Sequence, residues 1–127
     1  MAKQVINTSG APAAIGPYSQ GIRIGNYLFL SGQIPLDPAT GNIVGETAAE
    51  QAKQVLKNIE AILNEASATP ADVVKTTIFL TDLSEFAAVN EVYGGFFKSD
   101  PPARSTVQVG ALPKGARVEI EAIAVVE

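Results

Sequence analysis

A single long amphipathic segment runs from Thr47 to Ala66 and reads TAAEQAKQVLKNIEAILNEA. It opens with a T-x-x-E capping box, in which the side chains of Thr47 and Glu50 each satisfy a backbone N–H of the other residue. Apolar residues then recur at the i, i+3, i+4, i+7 spacing of one buried face. The members of that face are Ala52, Val55, Leu56, Ile59, Ile62, Leu63 and Ala66. The segment therefore predicts one long helix with a buried side.

Strand-like segments flank this helix on both sides. Before it, Val5-Ile6 predicts a short first strand, and Gly21 to Ser31 predicts a β-hairpin that turns at Gly25-Asn26. After it, Val74 to Thr81 is rich in β-branched residues and predicts a fourth strand. A second helix is expected to follow and to end near Phe97, with an inner face of Phe86, Val89, Tyr93 and Phe97.

The last part of the chain is expected to form a second hairpin. Its strands are Ser105 to Val109 and Arg117 to Val126, joined by the Gly- and Pro-containing segment 110–116. The element order is then β-β-β-α-β-α-β-β. This order predicts an α+β fold for residues 1–127 as a single domain, with both helices on one face of a mixed sheet.

The two faces of the last predicted strand differ. One face carries Glu119 and Glu121 beside apolar residues, and simple alternation places Arg104 and Thr106 of the preceding strand on this same face. No third helix is available to cover it. We therefore expect another subunit to cover it, with a ligand cleft between subunits. The other face, which suits packing under helices, carries Val118, Ile120, Ala122 and Ala124.

Composition narrows the possible chemistry. The 127 residues include nine Lys and Arg against thirteen Asp and Glu, a net charge of −4, and no His, Cys or Trp. A Ser-His-Asp triad, a thiol nucleophile and a His or thiolate metal site are therefore excluded. Acid–base work must fall to carboxylates, Tyr, Lys or bound water.

Charge and hydropathy also bear on partners. The acidic balance argues against nucleic acid as the main partner, since phosphate binders usually carry a basic excess. No apolar run approaches the ~20 residues that span a bilayer, and the first residues lack the apolar core of a signal peptide. We expect a cytoplasmic protein without a membrane contact.

Two charged residues are the first candidates for chemistry. Arg104 follows the stiff pair Pro101-Pro102, and an arginine held in this way suits bidentate capture of a carboxylate. An ordinary structural salt bridge explains it equally simply. Glu119 is either a general base or the ion-pair partner of Arg104, and Glu121 has nearly the same claim.

Several polar residues near strand ends and loops are further candidates. Asn90 interrupts the apolar stripe of the second helix, where it either caps a loop or reaches a ligand. Tyr18 follows a Gly-Pro pair, and Ser31-Gly32 ends a strand, so turn chemistry and ligand contact both explain them. Without a histidine to activate it, Ser31 is not expected to be a nucleophile.

Four blocks of the sequence resemble one known family. The blocks are AAIGPYSQG at 13–21, LSGQIP at 30–35, PARSTV at 102–107 and VEIEAIA at 118–124. In this order and spacing they resemble the Rid (YjgF-type) family, and more specifically its RidA group of 2-iminobutanoate/2-iminopropanoate deaminases.

The resemblance implies a chorismate-mutase-like fold and a homotrimer with clefts between its subunits. It also implies hydrolysis of reactive enamines and imines to 2-oxo acids and ammonia, with a small imino acid or 2-oxo acid as ligand and with no metal or organic cofactor.

The resemblance further implies roles for individual residues. Arg104 matches the carboxylate-binding arginine and Glu119 the acid that positions or activates water. Thr106 stands where some members carry Cys, so no thiol role applies there and only its backbone remains for contact with the imine. The residues that match the pocket lining are Tyr18, Ser31, Gly32 and Asn90.

Two other functions remain open from the sequence. The same cleft in a non-catalytic regulator would bind a small carboxylate, with Glu119 dispensable. An endoribonuclease or translation inhibitor is the other alternative, and the charge of −4 and the absence of His weigh against it.

Overall fold

The computed structural model describes residues 2–127 and contains the eight predicted elements in the predicted order. Three single 3₁₀ turns lie at 70–72, 83–85 and 113–115. The strands and helices are β1 Gln4–Ile6, β2 Gly21–Ile24, β3 Tyr27–Gln33, α1 Ala48–Glu65, β4 Val73–Leu80, α2 Phe86–Phe96, β5 Ala103–Gln108 and β6 Val118–Val125.

The six strands form one mixed sheet in the order β1-β2-β3-β6-β4-β5. The β4–β5 pair is parallel and the other pairs are antiparallel. The predicted β5–β6 hairpin is therefore wrong, because β4 lies between these two strands. The chain leaves β4, passes through α2 and returns parallel to β4 as β5. The loop that follows then carries it past β4, so that β6 inserts between β3 and β4.

Both helices pack on one face of this sheet, as predicted. The capping box at the start of α1 is present, since Thr47 Oγ1 accepts from Glu50 N–H at 3.1 Å and Glu50 Oε1 accepts from Thr47 N–H at 3.1 Å. The Thr47 backbone N–H is the main reason that the pKa of Glu50 is lowered. The core under the helices includes Leu28, Val55, Ile59, Ile62, Leu63, Ile78, Leu80, Val89, Val118 and Ile120.

The second face of the sheet carries no helix. Its aromatic residues Tyr27 and Phe29 are 53% and 44% exposed, and Val107 is 41% exposed. Glu119 lies on this open face, as predicted, opposite Phe79 of β4. The open face thus combines exposed apolar side chains with two carboxylates, Glu119 and Glu121, and with Lys75.

The faces predicted for β5 are wrong. In the parallel register Arg104 lies beside Thr76, and Thr76 is buried under α2. Arg104 and Thr106 therefore face the helices, and Val107 faces the open side with Phe79. Alternation along a β5–β6 hairpin predicts the opposite faces, but the neighbour of β5 is β4, and the register with β4 sets which side chains of β5 face the helices.

Candidate active site

Arg104 lies on the helix side of β5, against α2. Its Nη1 donates to Asn90 Oδ1 at 2.7 Å, and its Cζ lies 4.8 Å from the ring centroid of Tyr93 and 5.3 Å from that of Phe86. Positions 86, 90 and 93 are four and three residues apart, so α2 presents all three side chains to β5 on one side. Asn90 therefore holds the guanidinium rather than capping a loop.

The charge of Arg104 has no acidic partner within residues 2–127. The ion pair found there is Arg117 with Glu85, at 2.9 Å. A guanidinium has five N–H donors, and Asn90 takes one of them. Neither a structural salt bridge nor a pair with Glu119 accounts for Arg104, and most of its donors remain available to a ligand.

A surface hollow of about 410 Å³ opens beside Arg104. The stiff Pro101-Pro102 pair forms one wall and Tyr93 lies at the base. Burial raises the pKa of the Tyr93 hydroxyl, with a smaller opposing effect of Thr76 and Arg104. Tyr93 therefore stays neutral at physiological pH, and the hollow carries the single positive charge of Arg104.

Glu119 occupies a second region, on the open face beside the end of β3. The register of β3 against β6 shifts between Leu30 and Gln33, and this irregularity brings Gly32 against the Glu119 side chain. A Cβ atom at Gly32 would overlap Glu119 Oε2. Glycine at position 32 therefore makes room for this carboxylate.

The Glu119 carboxyl lies in an environment that favours its neutral form. Burial raises its pKa, and the nearby charge of Glu121 raises it further. No hydrogen bond from residues 2–127 offsets these two effects. A carboxyl shifted in this direction is a better proton acceptor and donor near neutral pH than an ordinary glutamate.

Ser31 and Tyr18 lie next to Gly32. The Ser31 hydroxyl donates to the carbonyl of Ser19 at 2.5 Å and ties the end of β3 to the loop that carries Tyr18. Tyr18 is more than half exposed. A mostly apolar hollow of about 250 Å³ opens beside Tyr18 and Gly32, and its lining includes Pro12, Ile15, Ile34, Pro113 and Lys114.

The predicted site residues therefore form two separate groups. Arg104, Asn90 and Thr106 lie together on the helix side, and Glu119 lies with Gly32 on the other side. The expectation that Arg104 and Glu119 share a sheet face is wrong. Arg104 lies two strands away from β6, level with Ala122, and Glu119 lies three residues before Ala122 along β6. These spacings correspond to a Cα separation of about 14 Å, and the two side chains point to opposite faces of the sheet.

Two positions next to Arg104 were missed as site residues. The apolar stripe of α2 predicts Tyr93 as an inner-face residue, and Thr76 falls within the predicted strand Val74 to Thr81 without a role of its own. Their hydroxyls share a hydrogen bond of 2.6 Å in the buried layer directly below Arg104. The polar hydroxyl of Tyr93 within an apolar stripe was the available signal.

Within 2–127 no three His, Cys, Asp or Glu side chains are grouped so that they could hold a metal ion. No helix in that range is long and apolar enough to cross a membrane.

Comparison with known proteins gives concordant results. The family described as endoribonuclease L-PSP matches residues 8–126. The human 2-iminobutanoate/2-iminopropanoate deaminase is 50% identical over 123 residues, covering 97% of this chain and 90% of the human one. The structure of YyfA, a Rid family protein from Yersinia pestis, superposes with a TM-score of 0.96 at 54% identity and covers 98% of this chain and all of that one. The structure of E. coli TdcF with bound serine superposes with a TM-score of 0.93 at 47% identity, and the match covers 98% of this chain and 99% of that one.

Proposed function

Because the chain belongs to the endoribonuclease L-PSP family, which includes the Rid proteins, we propose that it is a deaminase of reactive enamines and imines. Its substrates are 2-iminobutanoate and 2-iminopropanoate, and its products are the 2-oxo acids and ammonia. Relatives at about 50% identity over nearly the whole chain bear the name of this activity. The reaction requires no cofactor, since water is the only co-reactant.

The observation that carries the proposal is the state of Arg104. It is a cation without an acidic partner among residues 2–127, oriented by Asn90 and two rings at the edge of a hollow. Such a guanidinium binds a carboxylate through two parallel N–H···O bonds. Every proposed substrate carries a carboxylate next to its C=N carbon, and the related TdcF structure holds serine, which also carries one.

Glu119 supplies the acid–base chemistry. The imine is attacked as its iminium, C=NH₂⁺, so a water oriented by a weak base is sufficient. Glu119 accepts a proton as the water oxygen bonds to the carbon, and the C=N π pair moves to nitrogen. Glu119 then returns that proton to the nitrogen. The C–N bond breaks, the hydroxyl proton is lost to solvent, and the products are a C=O group and ammonia.

A small imino acid cannot touch Arg104 and Glu119 of one chain at the same time. Their Cα atoms are about 14 Å apart on opposite sides of the sheet. The open face that carries Glu119 exposes aromatic and other apolar side chains beside its charged residues, and no element within residues 2–127 covers it. The proposed arrangement is a homotrimer in which Arg104 of one subunit meets Glu119 of the next across a shared cleft. A cytoplasmic location belongs to the same proposal.

The apolar hollow beside Gly32 suits the rest of the substrate. Most of its wall is apolar, from Pro12, Ile15, Ile34 and Pro113, and this part suits a methyl or ethyl group, while Lys114 brings one charged side chain to the lining. Tyr18 lies at its rim, and Ser31 fixes the adjoining loop. Thr106 lies two residues after Arg104 on the same side of β5, next to the proposed carboxylate site.

RNA cleavage is a second candidate because the matching family is described as an endoribonuclease. The net charge of −4 and the absence of His argue against it. A carboxylate-binding regulator is the third. It would keep its ligand affinity and its biological effect in Glu119→Gln, whereas a deaminase would lose turnover.

The test is a coupled assay in which a threonine dehydratase generates the imine and semicarbazide traps it. The wild-type protein is expected to accelerate loss of the trappable imine. Arg104→Ala is expected to reduce kcat/KM about 100-fold, since charged hydrogen bonds to the substrate are lost. Arg23→Ala, an arginine bonded to the carbonyl of Gly25 outside both groups, is the matched control and should retain wild-type turnover. Full activity in Arg104→Ala would refute the proposal.

A further inference from the structure

Tyr93 lies beneath the Arg104 guanidinium and is itself held from below. The Arg104 Cζ atom is 4.8 Å from the centroid of the Tyr93 ring. Tyr93 is only 4% exposed, and its hydroxyl shares a 2.6 Å hydrogen bond with Thr76 Oγ1. Thr76 is 1% exposed and is the direct β4 neighbour of Arg104. The strand pair that places the arginine backbone thus also holds the aromatic ring under its side chain.

The ring is confined from the side as well. Phe97 packs against Tyr93 with a centroid distance of 4.7 Å and an interplanar angle of 50°. The Tyr93 hydroxyl is buried with its partner Thr76, and burial raises the pKa of this hydroxyl, so it stays protonated and uncharged near neutral pH. The surface of Tyr93 available to the site is therefore its aromatic face.

A fixed ring face lowers the entropy cost of ordering the arginine side chain when the substrate binds. The side chain has many rotamers, and ordering it on substrate binding costs conformational entropy. Attraction between the cation and a ring face restrains the side chain before the substrate arrives, without using an N–H donor in a hydrogen bond. Asn90 restrains one N–H at 2.7 Å and leaves the others for a carboxylate.

We infer that Tyr93 is a positioning residue for carboxylate binding, in which its ring, tethered through Thr76, holds the Arg104 guanidinium in place. This inference rests on the proposed function, because it assigns Tyr93 to the carboxylate end of that substrate. Carboxylate contact is made in the ground state and the transition state alike. Loss of Tyr93 therefore weakens binding and leaves the chemical step intact.

The test replaces the ring while keeping its bulk. Tyr93→Leu is expected to raise KM for the imine about 3- to 30-fold, with kcat within about twofold of wild type. The affinity for 2-oxobutanoate should fall by the same factor. The heteronuclear NOE of the Arg104 Nε–Hε group, assigned by its loss in Arg104→Lys, should drop because the side chain becomes mobile. Tyr93→Phe retains the ring and loses only the hydrogen bond to Thr76, so its KM and NOE are expected to lie between those of the wild type and of Tyr93→Leu.

Phe96→Leu is the matched control, as an aromatic-to-leucine change on the same helix that packs on Phe97 and not on Arg104. It should lower thermal stability and leave both KM and the Arg104 NOE unchanged. If it raises KM as much as Tyr93→Leu does, the effect is one of general packing and the inference is overturned. Where Tyr93→Leu fails to fold, Tyr93→Met carries the test, since the unbranched side chain fills irregular space without a ring face.

Two outcomes in a folded Tyr93→Leu protein overturn the inference: an unchanged NOE for Arg104, or an unchanged KM and 2-oxobutanoate affinity. Failure of the proposed function looks different. In that case the wild-type protein does not accelerate imine loss at all, and the NOE together with 2-oxobutanoate binding, neither of which needs catalysis, decides whether Tyr93 positions Arg104.

Discussion

At the scale of single residues, the absence of a side chain at Gly32 decides where the carboxylate of Glu119 lies. The β3 irregularity brings the two residues together, and any Cβ at position 32 would occupy the place of Oε2. The atom in the way is the end of a flexible side chain, so the protein can yield there without unfolding. A substitution at Gly32 therefore acts on the position of the carboxylate more than on the fold.

Gly32→Ala is expected to reduce kcat/KM about 10- to 100-fold, because a displacement of the proton acceptor by about 1 Å is enough for such a loss. The midpoint of urea unfolding should change little. Steady-state kinetics and equilibrium unfolding of the same preparation check both parts. Gly110→Ala is the control, since a Cβ there meets open space. Equal activity of the two variants would contradict the role given to Gly32.

The raised pKa of Glu119 predicts a pH effect with a definite sign. In the proposed mechanism Glu119 acts as a base in its ionised form, so turnover should fall as the pH drops through its raised pKa. Glu121→Gln removes the second cause of the shift, lowers the pKa of Glu119 and should move the acid limb of kcat/KM to lower pH. An acid limb that stays in place, or moves upward, would show that Glu119 is not the titrating base.

At the scale of elements, α1 forms because its N-terminus and its apolar face agree. Thr47→Ala removes the capping hydroxyl and is expected to lower the free energy of unfolding by about 1 kcal/mol. Urea denaturation measures this loss. Ser99→Ala, an exposed residue outside the helices and strands, should change the free energy of unfolding by less than about 0.5 kcal/mol. A loss at Thr47 no larger than that at Ser99 would contradict the capping assignment.

The elements also show how much of the fold can be predicted from the sequence. The helix at Thr47, the hairpin at Gly25-Asn26 and the buried face of β6 all follow from local patterns, and the structure confirms them. The neighbour of β5 does not follow, because alternation along a strand specifies two faces without specifying the partner strand. The α2 crossover pairs β5 with β4 instead of β6, and that pairing moves Arg104 to the helix side.

The candidate site was predictable to a similar extent. Its residues could be identified one by one, since Arg104 and Glu119 match a family pattern. Their arrangement could not, because it depends on the sheet order and on which face each strand shows. Tyr93 and Thr76 illustrate a related limit: the hydroxyl of Tyr93 within an apolar stripe is a local signal, but its pairing with Thr76 depends on how the helix packs on the sheet.

At the scale of the whole molecule, the open sheet face exposes apolar surface that a single chain leaves uncovered. Aromatic side chains of β3 lie exposed there next to the Glu119 region. Apolar surface of this kind is typical of an interface between subunits. In the proposed homotrimer, burial of this face and completion of the active site are the same event.

Phe29→Asp is expected to break this assembly, because it places a charge among apolar residues that the interface would bury. Size-exclusion chromatography with light scattering should show a shift from trimer to monomer, and deaminase activity should be lost with it. Leu83→Asp, a similarly exposed leucine away from the open face, is the control and should remain assembled. A Phe29→Asp protein that stays trimeric would rule out the open face as the interface.

The central claim is that Arg104 and Glu119 act on one substrate from two neighbouring subunits, and complementation tests it most directly. Arg104→Ala and Glu119→Gln chains, each nearly inactive alone, are unfolded together in equal amounts and refolded into mixed assemblies. If the site lies between subunits, one interface in four on average receives an intact Arg104 and an intact Glu119, so about a quarter of wild-type deaminase activity should return. If the mixture is no more active than its two parents, the two residues do not meet across an interface and the account is contradicted.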